Sequence, residues 1–137
     1  MRDALYNDLY YMETFSITST VKKYPTHEYQ AMKDAILGKR YKLSLVFIGT
    51  KKAARLNEQY RKKTYSPNVL SFPLDERNGE IFICPQVAQS QAAKYDLSVD
   101  GYVAFLFIHG LLHLKGHDHS DTMDTQEQKY LTRFNIS

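Results

Sequence analysis

The chain is short of the residues that staple, break or anchor a fold. It has one cysteine, four prolines and six glycines in 137 residues. A lone cysteine, Cys84, excludes an internal disulfide, and the chain suits a reducing compartment. Cys84 itself reads as a small core residue. No long hydrophobic run is present either. The most apolar segment, Tyr102 to Leu114, is too short to cross a bilayer and is interrupted by histidine. The opening stretch MRDALYNDLYYMETF lacks the apolar run of a signal peptide. These absences predict a cytoplasmic protein with no membrane partner. Repeats, low-complexity segments and an interdomain linker are absent as well, so residues 1–137 read as one domain. Residues 1–12 read as a loosely held tail ahead of it.

What is present describes an ordinary globule, with 43% hydrophobic and 24% charged residues. The net charge is +3, but it is unevenly spread. Residues 1–70 carry 13 Lys/Arg against 6 Asp/Glu, whereas residues 71–137 carry 5 against 9. The basic excess gathers in Lys39-Arg40-Lys42, Lys51-Lys52-Arg55 and Arg61-Lys62-Lys63. Such a density can draw a polyanion by counterion release. A set of solvated helix faces and loop ends accounts for the same composition equally well.

The hydrophobic pattern alternates strands and helices. Glu13–Thr20 alternates around Phe15 and Ile17 as a half-buried strand does. Tyr24-Pro25-Thr26 supplies a stop and an N-cap for a helix with Tyr29, Met32 and Ile36 on one face, ended by Gly38. Tyr41–Ile48 is the strongest strand, and Gly49 with Thr50 leads into a helix over 51–61 presenting Ala53, Leu56 and Tyr60. Asn68–Phe72 reads as a strand stopped by Pro73, hence an edge or a terminus. The turn at 76–79 precedes a strand to Cys84, and Pro85 opens a helix running to about Tyr95. Ser98 can cap the next helix, which Gly116 ends in the left-handed conformation. Its YVAFLFIHGLLHL stretch is apolar almost all round, so it predicts a central buried helix. A last helix begins at Ser120 or Asp121, with Met123, Tyr130, Leu131 and Phe134 facing inward. The expected fold is α+β: a small mixed sheet of about four strands covered by helices, the central one carrying metal ligands.

Four of the five histidines fall between His109 and His119. His109 and His113 stand four apart on one helix face, the spacing by which a helix offers two imidazoles to one ion. Gly116 ends the helix, and the chain can then turn back to present His119 as a third ligand. Three neutral imidazoles with one open position describe a catalytic zinc site. Two imidazoles on an apolar helix otherwise need polar partners, and a shared ion supplies them. A set of His109, His113 and His117 would need the helix to pass through Gly116, at a cost of about 1 kcal/mol. The frame resembles the long zinc-peptidase motif H-E-x-x-H-x-x-G-x-x-H. Gly110, however, stands where that motif has the glutamate that serves as general base, which removes its mechanism of peptide hydrolysis.

The whole stretch HGLLHLKGHDH is similar to the signature of the YbeY family of bacterial metal-dependent endoribonucleases. Leu56-Asn57-Glu58-Gln59-Tyr60-Arg61 resembles that family's L-N-x-x-x-R element. Asn68–Pro73 resembles its T-D-V-L-S-F-P block, 79–85 its G-D-I-x-I-x strand, and Met123-Asp124-Thr125-Gln126-Glu127 with Leu131 its M-x-x-x-E-x-x-x-L helix. The chain departs from the pattern at Pro67-Asn68, where Thr-Asp is common, at His117, where Tyr is common, and in a shorter stretch from His119 to Met123.

The resemblance implies a single-strand-specific, zinc-dependent endoribonuclease of rRNA maturation. Such an enzyme would be expected to act at the 16S rRNA 3′ end and in ribosome quality control, with single-stranded rRNA and the small ribosomal subunit as partners. One zinc per chain on His109, His113 and His119 would supply activated water near neutral pH. Arg61 is the residue expected to meet the phosphate, because its planar fork matches two phosphate oxygens. Lys51, Lys52, Arg55, Arg61, Lys62 and Lys63 would follow the RNA backbone. The proton acceptor stays open among Asp118, His117 and solvent. Two other classes also stay open: a zinc hydrolase of another kind, and a non-catalytic RNA- or ribosome-binding module fixed by zinc.

Overall fold

Side-chain alternation along the strands decides which face of the sheet each residue serves. In β2 (Lys42–Phe47), Leu43, Leu45 and Phe47 point to one face and are at most 1% exposed. β4 (Asn78–Ile83) buries Ile81 and Ile83 on the same side, so the two strands share an apolar floor. This computed structural model describes residues 14–116 and 121–137; the tail expected at 1–12 lies outside those residues. β1 (Phe15–Ser19) and β3 (Val69–Asp75) complete a sheet of order β1-β2-β4-β3. β1 and β4 both run parallel to β2, and β3 runs antiparallel to β4. The mixed four-stranded sheet of the α+β reading is therefore present.

Both edges refine the sequence expectations. β3 does not stop at Phe72 but passes through Pro73 to Asp75, with an irregularity between those two residues. Only one side of β3 has a partner strand, so proline's missing N–H costs no ladder bond if it faces outward. β1 is the other edge, and Ile17, expected to be half-buried, is exposed. The hairpin between β3 and β4 turns at Glu76-Arg77, where the Asp75 carboxylate accepts from the Arg77 N–H and the Asn78 amide, both at 2.8 Å.

Helices cover both faces. α1 (Tyr29–Leu37) buries Tyr29, Met32 and Ile36 as its spacing predicts. It starts three residues after Thr26, however, and no side chain caps it. Its fourth buried residue, Lys33, donates to Thr14 Oγ1, Asp34 Oδ1 and the Lys39 carbonyl. α2 (Thr50–Arg61) lies on the opposite face, where Ala53 closes a small cluster with Ile48 and Cys84. Tyr60 does not join that cluster, being 60% exposed. α3 (Pro85–Gln91) gives way to a tighter 3₁₀ turn over Ala92–Tyr95.

α4 (Val99–Lys115) is the central helix. Ser98 Oγ accepts from the Gly101 N–H at 2.9 Å, and Gly116 takes φ +106° to stop the helix. Ten of its seventeen residues are buried, against the sheet, α1 and α5 (Asp121–Arg133). Full burial of each large apolar side chain contributes about 1.5–3 kcal/mol, so the helix is the main hydrophobic anchor of the fold. Among the described residues no single helix is long and apolar enough to cross a membrane.

Gly110 is the point of closest approach between α4 and the sheet. A β-carbon there would lie 2.8 Å from Ser71 Oγ and 3.1 Å from Ile81 Cδ1. The absence of glutamate at this position therefore has a packing cause: a side chain at 110 would enter the sheet rather than stand beside the histidines. We expect Gly110→Glu to destabilise the protein by at least about 3 kcal/mol through overpacking and an unpaired buried carboxylate. Urea unfolding checks this; a stability within 1 kcal/mol of the parent would show that position 110 has room.

Candidate active site

The step from Gly110 back to His109 turns the helix by about 100°, which takes the imidazole off the sheet and into a cleft. The cleft has a volume of about 830 Å³, and α4 lines it with Tyr102, Phe105, Leu106, His109 and His113. The Nε2 atoms of the two histidines stand 3.0 Å apart, with ring centroids at 4.5 Å. On the far side of His109, Nδ1 lies 3.0 Å from Glu127 Oε2 of α5. A carboxylate only accepts, so this contact sets the proton on Nδ1 and leaves the Nε2 lone pair facing His113.

The pair fits a zinc ion. Two imidazole nitrogens bound at 2.0–2.1 Å with tetrahedral angles stand about 3.3 Å apart, close to the separation seen. Glu127 supplies the carboxylate that commonly holds a metal-ligating histidine in tautomer and orientation. Among the described residues no three potential ligands converge. His119, the third expected ligand, lies outside those residues, as do His117 and Asp118. Cys84 sits 1% exposed in the small cluster under α2 and does not line the cleft.

The cleft's other wall comes from α2 and β3. Arg61, on the last turn of α2, lines it and is exposed. Among the described residues no carboxylate lies within ion-pair distance of Arg61: Asp34 pairs with Lys33, and Glu127 meets His109. Lys62 terminates the helix with φ 58°, and Lys62 and Lys63 follow Arg61 on the surface. Lys51, Lys52 and Arg55 do not line the cleft. They lie on α2 towards its other end, with Lys51 about 15 Å from Arg61 along the axis.

Three residues that the sequence placed only within family-like elements, without a contact, acquire partners here. Glu127 is 5% exposed on the inward face of α5. Its signal was the four-residue spacing from Met123 and to Leu131, which puts a carboxylate in an apolar stripe. Asn68, just before β3, donates to Gln91 Oε1 at 2.9 Å and to the Tyr102 hydroxyl at 3.3 Å, joining the start of that strand to α3 and α4. Burial pushes the Tyr102 phenol up to about 12, so it remains a neutral donor to Gln91. Asn57, fully buried in α2, donates to the Tyr65 carbonyl at 2.9 Å and ties down the loop beyond Arg61.

A family model described as endoribonuclease YbeY matches residues 10–135. The chain belongs to the YbeY family. It is 33% identical over 111 residues to the endoribonuclease YbeY of Mesoplasma florum, covering 73% of this chain and 66% of that one. To the Spiroplasma citri protein of the same name it is 38% identical over 104 residues, 66% of each chain. It thus spans about two thirds of the length of these curated relatives. The solution structure of TM1509 from Thermotoga maritima shares the fold, with a TM-score of 0.62, 24% identity and 88% of each chain covered.

Asn57 gives the site a test that does not depend on chemistry. Asn57→Ala should lower stability by about 1–2 kcal/mol and speed amide exchange over residues 62–66 more than in the sheet. Asn57→Asp should be worse than alanine, because a carboxylate cannot donate to the Tyr65 carbonyl and is costly to bury. Parent-like exchange in both variants would mean that the amide does not hold the loop.

Proposed function

We propose that the chain is a zinc-dependent endoribonuclease that cleaves single-stranded RNA in rRNA maturation. The observation that carries this reading is the His109–His113 pair, braced by Glu127, in the same cleft as Arg61. Family membership supports the class of reaction. His109, His113 and His119 would hold one zinc, which when bound supplies an activated water nucleophile near neutral pH. Arg61 would grip the scissile phosphate through its two-pronged donor face and hold the charge that builds on it. Asp118 is the candidate proton acceptor. Lys62 and Lys63 would contact the backbone beside the cleft, with Lys51, Lys52 and Arg55 attracting RNA further along α2. The reading carries with it the small ribosomal subunit as partner, 16S rRNA 3′-end processing and ribosome quality control as role, and the cytoplasm as location.

The test is incubation of the purified protein with single-stranded rRNA fragments, with and without chelator, alongside metal analysis. We expect one zinc per chain and cleavage that chelation abolishes; cleavage by metal-free protein would overturn the zinc mechanism. His113→Ala should lose the ion, and Glu127→Gln should weaken zinc binding about 10–100-fold by loosening His109. His117→Ala should retain it. Loss of zinc on His117→Ala with retention on His119→Ala would replace the assigned third ligand.

Arg61 separates chemistry from attraction. Arg61→Ala should keep zinc and most RNA affinity yet lose about 10²–10³-fold in cleavage rate, with little rescue by Arg61→Lys because the fork is gone. Lys62→Ala and Lys63→Ala should instead weaken binding modestly and flatten its salt dependence. Full cleavage by Arg61→Lys would reduce Arg61 to one more backbone charge.

A further inference from the structure

Tyrosine rings are unevenly placed on this molecule. Among the described residues the exposed aromatics are Tyr24, Tyr60, Tyr65 and Tyr95. Tyr24 lies flat on Phe47 at 4.2 Å and away from the cleft. The other three are 60%, 54% and 53% exposed, and all three line the one cleft that holds His109, His113 and Arg61. Scattered apolar surface is normal, but this concentration is not scatter.

Two of these rings are braced from behind. Tyr60, one residue before Arg61, packs against Phe72 of β3 at 5.2 Å, and Phe72 in turn packs edge-on to Phe82 at 5.8 Å. Tyr95, from the 3₁₀ turn, stacks on Tyr102 at 4.9 Å with 24° between planes. Tyr102 is backed by Phe105 and fixed through its hydroxyl to Gln91, which also accepts from Asn68. Each brace holds an aromatic ring in place while leaving much of its surface open to the cleft. A ligand stacking there would lose little entropy in ordering it.

We propose that Tyr60 and Tyr95 are base-stacking platforms for unpaired nucleotides flanking a phosphate at Arg61. This rests on the ribonuclease reading and adds to it the subsites that make the cleft prefer single strands. The base faces in a duplex are already covered by their neighbours, whereas an unpaired base offers a free face to an aromatic ring. The adjacent Arg61, Lys62 and Lys63 suit a polyanion rather than a neutral peptide. Stacking is indifferent to base identity, so the platforms select strand state and not sequence.

The experiment compares two fluorescein-labelled oligomers of about a dozen nucleotides, an oligoadenylate and an abasic strand with the same phosphodiester backbone. Binding to the zinc-loaded protein is read by anisotropy, with the strands confirmed intact on a gel. Tyr60→Leu and Tyr95→Leu should each weaken oligoadenylate binding about 5–100-fold, while Tyr60→Phe and Tyr95→Phe keep it. The abasic strand should bind weakly and respond to neither leucine change. The proposal is overturned if the leucine variants bind oligoadenylate like the parent, or if both strands respond equally. Either result leaves the ribonuclease reading intact provided that the parent cleaves RNA. A parent that neither binds nor cleaves RNA would remove that reading and the platforms with it.

Discussion

The close seat of α4 on the sheet is the constraint on which the rest of the structure depends. Two contacts set it. At Gly110 there is no room for a β-carbon beside Ser71 and Ile81, and at Gly79 a β-carbon would collide with Tyr41 and Leu114. The helix positions involved, 110 and 114, are one turn apart, so the helix can neither rotate nor slide without losing one of them. Each histidine of the cleft is the residue just before one of these contacts. The register of His109 and His113 is thus a consequence of how the helix is packed.

What α4 aims, α5 holds. Met123, Glu127 and Leu131 lie four apart on the buried side of α5, with Met123 and Leu131 in the main core cluster. The two apolar neighbours fix the helix against α4, and the carboxylate between them is delivered to His109 Nδ1. A buried carboxylate is costly without a partner. Its placement in an apolar stripe therefore makes sense only with the imidazole it meets, and the pair links the two helices through the site itself.

The sequence disclosed some of this arrangement and concealed the rest for identifiable reasons. α4 was legible end to end because its cap, its apolar run and its terminating glycine are all local features. So was the His109–His113 pair, whose spacing alone puts both rings on one face. Edges of elements were less legible. Thr26 offers a cap that α1 does not use, and β3 continues through Pro73 because only its partnered side needs donors. Tyr60 looked like an inward residue by helical spacing, yet α2 buries Ala53 and Asn57 instead. The bond from Glu127 to His109 and the stack of Tyr95 on Tyr102 join separate elements. Such contacts follow from tertiary packing, which no window of sequence reports.

The charges of the cleft give the arrangement its last piece of logic. A site proposed for a polyanion is lined by Glu127 and Asp124 as well as Arg61. With neutral histidines, these three side chains sum to one negative charge, and a phosphate would be repelled from the cleft even while the lysines beyond Arg61 attract it. A divalent ion on the histidines would reverse that sign to one positive charge. Glu127, which engages His109, would then face a cation rather than an uncompensated negative cleft. On this reading an ion held there would do more than supply activated water: it would make the cleft acceptable to a phosphate at Arg61. RNA attracted along α2 by its outer lysines would then meet a cleft of matching sign.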